Sequence, residues 1–151
     1  MNIKVERTST ENADFKILEK KLDEELYTIY GDIQKKSFSP YNIVKDLRTI
    51  IIYDTNNPIA SGCLKFIDND LAELKRMFVT PENRGKGISK RVIKELEKWA
   101  IDCNIKTLVL QTGVKQNVAI NLYMTMGYVK IENFEPYVTD TNSICMKKDL
   151  L

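Results

Sequence analysis

Histidine is missing from all 151 residues of the chain. That removes the side chain most used as general base, nucleophile activator and metal ligand near neutral pH. Proton movement is left to Asp, Glu, Tyr, Cys or ordered water. Cysteine is scarce as well: Cys63, Cys103 and Cys145 are three in number and widely spaced. An odd, scattered set argues against a disulfide framework and against metal-ligand pairs, so reduced thiols in a cytoplasmic protein without a metal are expected. Charge of one sign is not in excess. A net charge of +2 gives no electrostatic reason for the whole molecule to bind nucleic acid. No apolar run approaches the ~20 residues of a membrane span. The start, Met1-Asn2-Ile3-Lys4-Val5-Glu6, places charges inside a short apolar alternation, unlike a signal peptide. Repeats, low-complexity tracts and interdomain linkers are lacking too. What remains is a 43% hydrophobic, 29% charged chain of a length that suits one domain over residues 1–151.

Periodicity divides the chain into alternating elements. Ile3, Val5 and Arg7 alternate with charged residues and predict a short first strand. A helix follows, capped by Asn12, with Phe15, Leu18, Leu22, Leu26 and Ile29 on its inner stripe and Gly31 as its stop. From 32 to 46 the periodicity is lost. Residues 47–53, rich in isoleucine, predict a strand, and Asp54-Thr55-Asn56-Asn57-Pro58 a turn. Returning strands are predicted over 59–67 and 71–79, the last running straight into Pro81 and a glycine turn. Ile88, Val92, Ile93, Leu96, Trp99, Ala100 and Cys103 share one stripe of the next helix. A strand at 107–112 follows. A helix at 117–126 then turns Val118, Ala119, Leu122 and Met126 inward, and strands at 128–131 and 143–147 complete the series. This order predicts an α/β (α+β) fold: a mixed, mostly antiparallel sheet of about six to seven strands with helices on both faces.

The glycine turn, Arg84-Gly85-Lys86-Gly87-Ile88-Ser89, stands between a strand and a helix. Glycines there let a ligand approach the backbone, and the free N–H groups and dipole of the helix start favour an anion. Arg84, Lys86 and Lys90 add positive charge, which suits a pyrophosphate. Two common phosphate loops are excluded. A dinucleotide fingerprint needs a third glycine where Lys90 stands and an acidic residue after the next apolar run, and a P-loop needs a Gly-Lys-Ser/Thr that the chain lacks.

Arg84, Gly87 and Ser89 fall on the defining positions of Gln/Arg-x-x-Gly-x-Gly/Ala, with serine as a small-residue departure. This turn resembles the acetyl-CoA loop of the GNAT N-acetyltransferase superfamily. The strand Ala72-Glu73-Leu74-Lys75-Arg76-Met77-Phe78-Val79 is similar to the one preceding that loop, and Asn117-x-x-Ala119-Ile120-x-Leu122-Tyr123-x-x-x-Gly127-Tyr128 to the second GNAT signature. Thr112-Gly113 and Pro136-Tyr137 resemble a branch of small bacterial members. The likeness covers roughly residues 45 to 149.

The resemblance implies acetyl-CoA as co-substrate and acetyl transfer to a primary amine of a small molecule or protein by direct attack in a ternary complex. Backbone groups of Met77, Phe78 and Val79 would grip the pantetheine, with the Val79 N–H as oxyanion donor. Arg84, Gly85, Lys86, Gly87, Ile88 and Ser89 would hold the pyrophosphate. Tyr123 would donate the proton to the departing thiol. Asn117 would bind donor or water, or simply cap its helix. Glu73 has the spacing of the general base of the histone-acetylating branch, yet Lys75 shares its face, so a plain surface ion pair is an equal reading. Tyr30, Tyr41 and Tyr137 are candidates for the acceptor site, within a wider aromatic set of Tyr27, Phe38 and Phe134. A homodimer is a further implication.

Two rival classes remain. One is a catalytically idle GNAT fold that binds acyl-CoA as a sensor or partner module; Tyr123 argues against it. The other is a nucleic-acid-binding domain using Arg84, Lys86, Lys90, Arg91, Lys94 and Lys98, a patch diluted by Glu82, Glu95 and Glu97.

Overall fold

The computed structural model describes residues 1–31 and 46–150. In chain order these form β1 (Ile3–Ser9), α1 (Ala13–Tyr30), β2 (Arg48–Asp54), β3 (Asn57–Phe66), β4 (Leu71–Val79), a 3₁₀ turn (Pro81–Asn83) and α2 (Ile88–Asp102). Then come β5 (Thr107–Gly113), α3 (Asn117–Thr125), β6 (Val129–Ile131) and β7 (Ser143–Asp149). The strands make one seven-stranded sheet in the order β1-β2-β3-β4-β5-β7-β6. Only β4 and β5 pair in parallel; the remaining neighbours are antiparallel.

Both faces of the sheet are covered, which is why β2 carries consecutive isoleucines rather than an alternation. Ile51 and Tyr53 face α1, where Phe15, Leu18, Leu22 and Leu26 pack with Cys63 and Phe78. Ile50 and Ile52 face the other way, against Val92, Ile93, Leu96 and Ala100 of α2. The Asn12 side chain caps α1 by accepting the N–H groups of Asp14 (2.8 Å) and Phe15 (3.2 Å). Gly31, at φ 58°, ends it by donating its N–H to the Tyr27 carbonyl.

Two expected inward positions are placed differently. Ile29 is half-exposed, and Tyr30 takes the buried place at the end of α1. Val118 is 86% exposed, because α3 turns Tyr123, not Val118, toward the core. Trp99 keeps its expected place, half-buried against the core on the α2 side, with the Arg7 guanidinium 5.0 Å above its ring.

The feature that shapes the site is an irregularity in β4. Parallel pairing with β5 runs from Leu71↔Thr107 to Leu74↔Leu110 and stops, although β4 continues to Val79 and β5 to Gly113. On its other side, β4 pairs Lys75 with Cys63 and Phe78 with Ser61, so Arg76 and Met77 together oppose Gly62 in a β-bulge. The extra residue reverses the alternation of side chains. Met77 and Val79 therefore belong to the α2 face, and Phe78 to the α1 face. Two strands diverging at their C-terminal ends leave a wedge of backbone that no other strand among the described residues pairs with.

Candidate functional site

A cleft of about 770 Å³ occupies this wedge. One wall is β4, with Met77, Phe78 and Val79. The opposite wall is the tip of β5 with α3, including Asn117 and Tyr123. The mouth is the turn into α2, with Arg84, Gly85, Gly87, Ile88 and Ser89. Ten residues singled out from the sequence are thus brought to one cavity. Lys86 is exposed and lies outside its lining, as do Glu73, Tyr30 and Tyr137. Tyr41 and Phe38 lie outside the described residues.

The mouth has the character of an anion site. Gly85 and Gly87 both stand at φ 78°, a left-handed conformation that side chains disfavour. Among the described residues, a Cβ built on either would meet no atom within 4 Å. Gly87 is the residue before the first turn of α2 and no side chain caps that turn. Helix geometry leaves the N–H groups of Ile88, Ser89 and Lys90 without carbonyl partners inside the helix.

Arg84 turns elsewhere than sequence reasoning expects. Its Nε donates to the Val79 carbonyl at 2.9 Å, its Nη2 binds Glu25 of α1, and the guanidinium lies over the Phe78 ring. Glu25 itself lines the cleft, so Arg84 neutralises a carboxylate at the cleft wall and ties the end of β4 to α1. Nothing in the sequence of α1 marks Glu25 apart from its solvent-facing neighbours.

Backbone directions follow from the ladder. The Thr80 N–H donates to the Ile59 carbonyl at 2.9 Å. Bonded and non-bonded pairs alternate in an antiparallel ladder, so the preceding pair, Val79 with Ala60, directs its N–H and C=O away from β3. The carbonyl is the one taken by Arg84. The N–H faces the wedge left by β5.

Tyr123 is buried, its ring edge-on to Tyr128 with centroids 5.8 Å apart. Desolvation raises its pKa. Tyr123 lines the cleft, and among the described residues no protein group hydrogen-bonds its hydroxyl. Asn117 is the first residue of α3 and exposed; Gln116 holds the capping position and no side chain caps the helix, so the N-cap reading of Asn117 does not hold.

Glu73 and Lys75 lie on the α1 face, and the surface-pair reading is wrong: both side chains are under a tenth exposed. The Tyr137 hydroxyl bridges them, donating to Glu73 Oε2 at 2.8 Å and accepting from Lys75 Nζ at 3.1 Å. The two charges are 3.6 Å apart. Burial lowers the Lys75 pKa, opposed by the Glu73 carboxylate. Asn133, which the sequence does not advertise, orders the loop that carries Tyr137: its Nδ2 donates to the carbonyls of Tyr137, Asp140 and Ser143 at 3.1–3.2 Å.

Tyr30 packs its ring end on Gly113, where any Cβ would fall inside the ring, and its hydroxyl accepts the Lys115 N–H at 3.2 Å. It fastens α1 to the tip of β5. Burial raises the Cys63 thiol to about 12 and raises Cys145 as well, so neither is poised as a nucleophile. No helix among the described residues is long and apolar enough to cross a membrane.

Comparison with known proteins bears on this geometry. Residues 15–128 match the model of the acetyltransferase (GNAT) family. An IAA acetyltransferase of Azospirillum brasilense is 32% identical over 106 residues, covering 70% of this chain and 69% of the relative. A crystal structure from Klebsiella pneumoniae, assigned as an acyl-CoA N-acyltransferase, superposes with a TM-score of 0.83 at 25% identity over 99% of this chain and 98% of its own. The PaiA N-acetyltransferase of Thermoplasma acidophilum, crystallised with coenzyme A, shares the fold at a TM-score of 0.74, 23% identity and 99% coverage of both chains. With the family model spanning most of the sequence and a relative at 32% identity covering 70% of it, the chain belongs to the GNAT acetyltransferase family.

Proposed function

We propose that the protein transfers the acetyl group of acetyl-CoA to a primary amine by direct attack within a ternary complex. The observation that carries this reading is the convergence on one cleft of an uncapped helix start, an outward-facing backbone N–H at Val79 and the Tyr123 hydroxyl. The PaiA N-acetyltransferase that shares this fold was crystallised with coenzyme A, which supports the same class of donor here.

Acetyl-CoA supplies the thioester. The N–H groups at the start of α2 and the glycine turn receive its pyrophosphate, and the backbone of Met77, Phe78 and Val79 lies alongside the pantetheine. The Val79 N–H stabilises the carbonyl oxygen as negative charge develops on it during amine attack. As the C–N bond forms and the C–S bond breaks, Tyr123 gives its proton to the leaving sulfur. Its raised pKa keeps that proton in place beforehand. The attacking amine must lose a proton. Glu73 is the acceptor of that proton, reached through water or through Tyr137, because its carboxylate lies outside the cleft lining. None of these steps calls for a metal.

A thiol-release screen of acetyl-CoA against amines, amino acids and peptides tests the reading and separates an enzyme from an idle acyl-CoA-binding module. Gly87→Val accompanies it, since a branched side chain at φ 78° distorts the turn and projects into the space above it. Weaker coenzyme A binding in a folded Gly87→Val protein is expected. Unchanged affinity would remove the pyrophosphate from this turn.

A further inference from the structure

Arg76 is the residue of the site region that the proposed chemistry leaves unexplained. It has a left-handed backbone at φ 57°, which a side chain with a Cβ adopts only at a cost. It sits at the bulge, two residues past the last pairing of β4 with β5. Its side chain is 2% exposed, an unusual degree of burial for arginine. Three contacts with α1 account for that burial. Nε lies 3.3 Å from Glu19 Oε2, ion-paired but too poorly aligned for a hydrogen bond, and Nη2 donates to Asp23 Oδ1 and reaches the Glu19 carbonyl at 3.4 Å. Glycine at position 62 completes the arrangement from the other side. A Cβ there would run into Met77, Leu96 and Val92, so the facing strand makes room for the doubled residue.

The consequence lies in the ladder's parity. If Arg76 and Met77 did not share Gly62 as their partner, the register fixed at Lys75↔Cys63 would continue residue by residue. Val79 would then stand opposite Ile59, and its N–H would go to the Ile59 carbonyl that Thr80 now occupies. The bulge turns that N–H outward into the cleft.

We propose that Arg76 is a positioning residue, whose ion pairs with Glu19 and Asp23 anchor the bulge to α1 and so hold the Val79 N–H toward the reacting carbonyl. The use of that N–H as an oxyanion donor rests on the proposed function; the anchoring does not.

The test removes the anchor without touching the cleft. Glu19 and Asp23 are both partly exposed, so the double variant Glu19→Gln/Asp23→Asn keeps shape and solubility while losing both charges facing the arginine. Leu18→Ala is the control, cutting the core under α1 while leaving both carboxylates that face Arg76 in place. Two readouts are taken below each variant's melting temperature: kcat and KM for acetyl-CoA in thiol release, and hydrogen exchange of the Val79 amide by NMR. Loss of an oxyanion donor costs roughly 10²–10³ in kcat. Partial loss in the double variant is expected to lower kcat about tenfold, leave KM within about twofold, and slow exchange at Val79 as its N–H pairs with β3. Leu18→Ala is expected to lower the melting temperature and change neither. Wild-type kcat and Val79 exchange in the double variant, or an equal kcat loss in the control, would overturn the assignment. If the wild type released no thiol with any amine, the proposed function would fail, and the exchange at Val79 would still decide the anchor.

Discussion

The Tyr123 ring is held by its edge-on contact with Tyr128, so deleting its hydroxyl alone leaves the packing of α3 in place. Tyr123→Phe is expected to keep the melting temperature within a degree or two, while kcat falls by roughly the 10²–10⁴ of a general-acid contribution. The KM for acetyl-CoA stays near wild type, because the donor contacts lie on other elements, and donors with better thiol leaving groups recover part of the rate. A folded variant with wild-type kcat would make Tyr123 a core tyrosine only. Glu73 calls for a different readout, since it is tied to Tyr137 and Lys75 and its loss disturbs a buried polar cluster whatever its chemical role. Glu73→Gln is expected to depress the rate most below the pKa of the acceptor amine, where a base is needed. If the pH–rate profile keeps its shape and only stability drops, the carboxylate is a partner for Lys75 and nothing more. Cys63 makes a pH prediction with a definite sign. Its folded thiol holds a proton up to about 12, against an ordinary value of 9.0. The raised pKa means its contribution to stability is complete below pH 9 and is lost as pH rises toward 12. Denaturant unfolding of Cys63→Ala at a series of pH values should show a shallower alkaline decline than wild type, whatever its absolute stability.

At the scale of elements, α1 does more than cover the sheet. Arg76 joins it to the bulge, Arg84 to the end of β4, and Tyr30 to the tip of β5. It therefore fastens both arms of the wedge. Gly62 is the steric counterpart of that fastening. In Gly62→Ala the new methyl meets Met77, Leu96 and Val92, of which only Met77 has the length to move aside. Overpacking of this kind costs about 1–3 kcal/mol, which chemical denaturation will read directly. Because the displaced residue is Met77, coenzyme A affinity is expected to fall together with stability; a variant losing neither would show that the bulge accommodates a side chain.

At the scale of the whole molecule, the parallel pairing of β4 with β5 interrupts a sheet whose other described strands pair antiparallel, and the cleft opens where that pairing ends. Side chains from α1 on one face and from α2 and α3 on the other reach the same opening. The cleft thus communicates with both sides of the sheet. Charge is distributed to match: the cations near the mouth sit at the helix start, and the carboxylate of Glu25 beside them is neutralised by Arg84.

Local chemistry explains what was legible without coordinates. The caps Asn12 and Gly31, the span 71–79 of β4, the glycine turn and the helix it opens follow from backbone preferences and apolar spacing, which act over a few residues. The cleft-lining set from Met77 to Tyr123 was legible through motif order. Other features depend on residues far apart in sequence. Strict alternation puts Glu73, Met77 and Val79 on one face, but the bulge at Arg76 splits them, because one doubled residue reverses the parity of everything after it. A lone arginine within an apolar strand was the available sign. The burial of Glu73 and Lys75 needed Tyr137, 62 residues from Lys75, to supply the bridging hydroxyl. The diversion of Arg84 to Glu25 needed α1 laid across the strand ends. The sequence by itself determined the elements and the glycine turn that opens α2, since each is a matter of neighbouring dihedrals and spacing. Only the tertiary structure decided which backbone N–H faces the cleft and which charges are already engaged, because both depend on long-range register and packing.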